Sequence, residues 1–149
     1  MDKIKNHLDY LNLYTDEIKK LNKELSELIN MYKYCDINKD LLQESIYLID
    51  EIYDIFSYHS YTKIVAPIFE NLSIELSNID VESLTEVHLS AFELLEKIFE
   101  EINEYISMYF IQRTLIDVKI FKDSLQSNIN YFLTYLKEEE DTESEIEFF

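Results

Sequence analysis

Across its 149 residues the chain holds no glycine and a single proline, Pro67. Glycine is the default wherever the backbone must take positive φ, so two-residue hairpins, glycine bulges and phosphate-cradling loops have no material here. That disfavours a β fold and a nucleotide-loop enzyme together. Hydrophobic residues make up 47% of the chain and charged residues 30%, which is too apolar for a disordered polymer even at a net charge of -18. A chain of this length fits one domain and can bury a real core.

The apolar residues recur at helical spacing. From residue 2 to 32 they fall at Ile4, Leu8, Leu11, Tyr14 or Thr15, Ile18, Leu21, Leu25, Leu28 and Tyr32, a run of threes and fours that predicts one long, one-faced helix. After a break at 34–39, Asp40 with Gln43 reads as a capping box. A second helix follows through Leu42, Ile46, Ile49, Tyr53 and Phe56. Tyr47, Leu48, Ile52 and Ile55 spread apolar surface round that helix, which suits a central element. Pro67 lacks the amide hydrogen an interior position needs, so residues 41–78 form one kinked helix or two. Ser83 with Glu86 reads as another capping box, opening a helix striped by Leu84, His88, Ala91, Leu95, Ile98, Ile102, Tyr105 and Tyr109. The last helix, starting near Thr114 or Asp117, carries Val118, Phe121, Leu125, Ile129, Phe132 and Leu136. The expected fold is all-α: an antiparallel up-and-down bundle of four to five helices over residues 1–137.

From Glu138 the periodicity stops. Residues 138–149 carry seven acids and no base, so the expected tail is acidic and disordered, and the bundle without it still stands at -11. Thirty-one acids against thirteen bases argue against direct binding to a phosphate backbone. Nucleic acid could enter only through mimicry by an acidic inhibitor or immunity protein. No segment approaches the roughly 20 apolar residues of a membrane span, and the lone Cys35 asks for no oxidising compartment. A cytoplasmic protein without membrane contact is expected.

Catalytic chemistry finds little support. The Glu-x-x-His pattern of di-iron bundles is absent, because none of His7, His59 and His88 has an acid three or four residues away. His88, on an apolar stripe, reads as a core or boundary residue, and Cys35 has no second thiol with which to share a metal. The expectation is no metal, no cofactor and no enzyme. His59, in Tyr58-His59-Ser60-Tyr61-Thr62-Lys63 beside a helix end, resembles the phosphorylated histidine of histidine phosphotransfer domains, which are helical bundles of this size. That family places lysine three residues on and then glycine; here Lys63 stands fourth and glycine is missing, so the resemblance covers His59 to Lys63 alone. It implies a signalling module phosphorylated at His59. In outline the chain is also similar to chemotaxis phosphatases, whose C-terminal peptide docks on a response regulator, although their Asp, Gln, Thr and Gly pattern is missing. Small bacterial export chaperones, such as those that hold flagellin, are likewise acidic helical bundles.

Two segments carry binding expectations. The acidic tail ends in Ile146, Phe148 and Phe149, aromatic anchors behind a charge run that suits a basic groove. It is similar in form to the phenylalanine-ending tails of bacterial single-strand DNA-binding proteins. The stretch Tyr105-Ile106-Ser107-Met108-Tyr109-Phe110-Ile111 is apolar nearly all round; Tyr105, Met108, Tyr109 and Phe110 are the expected partner contacts. With Tyr47, Ile52, Ile55 and Tyr58 they would form a groove or a homodimer seam, or else lie covered inside the bundle. The expected function is a non-catalytic interaction module, an adaptor or chaperone-like bundle that binds a protein partner.

Overall fold

The computed structural model describes residues 2–114 and 117–138, without the side chains of residues 2–5. The expected disorder of the tail, and its contacts Ile146, Phe148 and Phe149, lie outside the described residues. Among the described residues five α-helices make the fold: α1 (Asp2–Tyr34), α2 (Lys39–Ser57), α3 (Ala66–Ser77), α4 (Leu89–Ile106) and α5 (Val118–Leu136). No strand occurs among the described residues. The bundle is antiparallel and up-and-down, as the periodicity implied.

The helices close into a ring. α1 packs between α2 and α4, α2 against α3, α4 against α5, and a lighter contact between α3 and α5 completes the circuit. Five elements that alternate in direction cannot all be antiparallel around a ring, so one neighbouring pair must run the same way, and that pair is α3 and α5. The route from α3 to α4 must therefore pass the end of α5. Residues 78–88 make this crossing through two short 3-10 turns, Val81–Ser83 and Glu86–His88, the second of which touches α5.

A five-membered ring leaves more axial space than a four-helix bundle, and aromatic side chains fill it. Phe56 lies at the centre, with ring centroids 5.1 Å from Phe69, 6.2 Å from Phe110, 6.3 Å from Tyr105 and 6.4 Å from Phe121. Large planar groups fill such a space to interior density with few rotatable bonds.

Local starts differ from the expected ones in two places. Asp40 does not cap α2: Asn38 does, its side-chain oxygen accepting the Leu41 amide at 2.8 Å. Ser83 does not open α4, because its hydroxyl donates to Asp80 at 2.8 Å within a separate turn. The helix begins only after His88, whose Nδ1 accepts the Thr85 amide at 3.0 Å. His88 is thus a half-buried capping group. Residues 41–78 are two helices, with Pro67 in the first turn of α3, where its missing amide hydrogen costs nothing. The α1 stripe also rotates at its start. Leu8 is 45% exposed, while Tyr10 is buried in its place.

Candidate binding site: an aromatic and histidine cluster at one end of the ring

The start of α1, the turn after α2, the end of α4 and the start of α5 meet at one end of the bundle. α2 finishes at Ser57, leaving carbonyls without helical donors. Tyr10 and Thr62 supply them. The Tyr10 hydroxyl donates to the Ile55 carbonyl at 2.7 Å and lies 2.9 Å from the Thr62 hydroxyl, which donates to the Phe56 carbonyl at 2.8 Å. A leucine at the Tyr10 position would remove the side-chain donor to the Ile55 carbonyl and leave it only the longer Tyr58 amide bond, at 3.3 Å. The Tyr10 phenol is pushed well above its usual range, chiefly by burial.

The turn so fixed presents Tyr58, His59 and Tyr61. His59 accepts the Tyr61 amide on Nδ1 at 3.1 Å and stacks on Tyr61 and Tyr10, with centroids 5.2 and 4.8 Å away. Its neutral proton therefore sits on Nε2. His7, one turn before Tyr10 on α1, lies 5.4 Å from His59 and shares a 2.7 Å hydrogen bond between its Nε2 and the Tyr109 hydroxyl. Burial holds both imidazoles below their ordinary range, and the neighbouring His59 lowers His7 further. The Tyr109 phenol is raised to about 12, by burial first and then by Tyr61. Two histidines, neutral at pH 7, thus sit among tyrosines.

Tyr109 reaches His7 because α4 ends in a widened turn. Residues Ser107–Gln112 are π-helical, and the turn closes at Arg113, whose φ of 58° is the one positive value among the described residues. π-turns recur at functional sites because they re-aim side chains. Glycine usually takes the left-handed closing position; here a side chain with a Cβ holds it, and Arg113 donates back to Asn12.

Two clefts flank the cluster and share Ser60. One, of about 640 Å³, is lined by His7, Tyr61, Ile64, Tyr109, Asp117, Val118 and Lys119. The other, of about 470 Å³, is lined by Asn6, Asp9, Tyr10, Leu13, Tyr58 and His59. Asp117 also caps α5 by accepting the Lys119 amide at 2.9 Å.

The expected contact residues divide. Tyr105, Tyr109 and Phe110 are buried by the chain itself, Tyr105 lying flat on Phe121 at 3.7 Å. Met108 is half-buried and lines a separate cleft of about 570 Å³ with Asn22, Asn103 and Gln112. Ile52 and Ile55 are buried, whereas Tyr47 and Tyr58 are exposed, so these residues do not join the α4 end in one groove. Their burial needs no second chain. His59 lies near the helix end, as expected, but half-buried in a stack. Cys35 is exposed, and no group of three or more metal-ligating side chains occurs among the described residues. Among the described residues no helix is long and apolar enough to cross a membrane. Sequence reasoning missed His7, Tyr10 and Tyr61. The available signal was an aromatic at position 10 out of phase with the α1 stripe and three residues after a histidine.

The groups gathered here are aromatic faces, hydroxyls and neutral imidazoles, which hold side chains through stacking and hydrogen bonds. Fold and site together define a five-helix ring with an aromatic end. Comparison with protein-family models, curated proteins and solved structures gives no match.

Proposed function

We propose that this protein is a non-catalytic interaction module, adaptor or chaperone-like, that holds a protein partner at the His7–His59 end of the ring. The observation that carries the reading is exposure: Leu13 is 61%, Tyr58 65%, Tyr61 48% and Ile64 44% exposed, beside the two clefts. Apolar and aromatic groups left in water around concave surface are the raw material of interface hot spots. The net charge of -18 favours a basic partner by steering encounter, and residues 138–149, with Ile146, Phe148 and Phe149, offer a second attachment. A reducing cytoplasm suits the exposed Cys35.

Photo-cross-linking in host cells tests this. A photoreactive aromatic residue replaces Tyr61 in one full-length chain and Tyr131, exposed on α5, in another. Capture of one partner from position 61 and not from 131, lost when Tyr58→Ser and Ile64→Ser are added, is expected. Equal capture from both positions would overturn the reading. Cross-linking to a second copy would replace it with a homodimer seam, and capture of a DNA-binding protein released by DNA would replace it with acidic mimicry. A chain ending at Lys137 that loses the partner would assign the tail a share of the binding.

A further inference from the structure

We propose that the cleft between Asp9, Leu13 and Tyr58 receives a basic side chain, arginine above lysine, from the protein partner. This deepens the reading of the previous subsection and rests on it for the partner.

The cleft has the parts that a cation needs. Tyr58 turns a largely exposed ring to solvent, and Tyr10 lies behind it nearly parallel, 9° between planes and 6.1 Å between centroids. Tyr14 meets Tyr58 edge-on at 5.7 Å, which orients the Tyr58 ring. A cation over such a face is attracted by the negative π-cloud, and a guanidinium also stacks flat on it. Asp9 stands at the rim. Glu17 and Asp54 lie close enough to Tyr14 that, after burial and Tyr58, they help to raise its phenol. The ion pairs among the described side chains, Lys20 with Glu24 and Lys33 with Glu100, involve none of these three acids. Leu13, largely exposed at the same cleft, offers apolar surface to the methylene stem of an incoming side chain. His59, held below the usual histidine range by burial, adds no positive charge at pH 7. The neighbouring cleft carries both Asp117 and Lys119, whereas this one carries Asp9 and no lysine or arginine, so the two clefts differ in charge.

N-acetyl-arginine amide, titrated into the full chain and followed by NMR of tyrosine rings and backbone amides, tests the proposal, with N-acetyl-citrulline amide as the uncharged isostere. Saturable shifts at Tyr58, Tyr10 and Asp9 with the arginine compound, and none with citrulline, are expected. Tyr58→Leu and Asp9→Asn, both changes of exposed side chains, should each weaken arginine binding about two- to fivefold, the scale of an exposed cation–π or ion-pair contact. Arginine shifts scattered over the acidic surface with Tyr58 unmoved, or equal binding of citrulline, would overturn it. The probe involves no protein partner, so failure of cross-linking at position 61 beside positive titrations would remove the interaction reading and leave the cation site standing.

Discussion

At the scale of single residues, the end cluster depends on neutral imidazoles. His7 and His59 are 5.4 Å apart and partly buried, so the folded chain resists charging either one, and charging both adds repulsion. Their folded pKa values lie below the ordinary 6.5. Stability from this source is therefore present above pH 6.5 and is lost as pH falls through the lowered values. Charged and titratable groups near them are Tyr61, Tyr109, Asp117 and Lys119 at one cleft and Asp9, Tyr10 and Tyr58 at the other. The urea midpoint should fall between pH 7.5 and 5.5, and fall less in the double variant His7→Gln, His59→Gln. An identical pH slope for both proteins would show that the pair contributes nothing to it. Tyr10 makes a related point. Its ring could be read as core, but its hydroxyl also donates to the Ile55 carbonyl at the end of α2, beside the Tyr58 amide and the Thr62 hydroxyl.

At the scale of elements, two apparent capping boxes were legible and neither starts a helix. Asp40-x-x-Gln43 and Ser83-x-x-Glu86 have the right letters, but the chain enters α2 earlier, at Asn38, and α4 later, through Thr85 and His88. For α4 the reason is the route: a crossing past α5 consumes residues that local chemistry would otherwise put into helix, whereas at α2 the Asn38 side chain takes the Leu41 amide first. Asn38→Ala should cost about 1 kcal/mol, the usual value of a lost cap. Ser83→Ala should stay within about 0.5 kcal/mol, as for an exposed position outside any helix start. Chemical denaturation of the two variants checks this, and a larger loss from Ser83→Ala would restore the sequence-based assignment. The π-turn at Ser107–Gln112 had no legible signal. It arises where α4 must bring Tyr109 and Phe110 onto α1 and then reverse direction without a glycine.

At the scale of the whole molecule, the aromatic centre couples four of the five helices directly, and α1 through the contact of Tyr10 with Phe110. Phe56 is fully buried and touches aromatic groups from α3, α4, the π-turn and α5. Truncating it leaves a cavity that no single helix can close, so Phe56→Ala should cost about 3–5 kcal/mol. Tyr131→Ala, on the solvent side of α5, should change stability by less than about 0.5 kcal/mol. Thermal unfolding compares them; similar losses would mean that the ring is not held together at its axis.

Periodicity and the missing glycines determined the helical class, the number of helices to within one and most of the buried face of α5, because burial at helical spacing is a local property of the chain. Phe121, Leu125, Ile129 and Phe132 are buried as the spacing requires. Tertiary structure alone decided the closed ring, the parallel contact of α3 with α5 and the meeting of His7 with His59 and Tyr109. Those depend on which helix ends are brought together. Residues 52 and 102 positions apart become neighbours only when five helices close on a shared core, and no local pattern encodes that meeting.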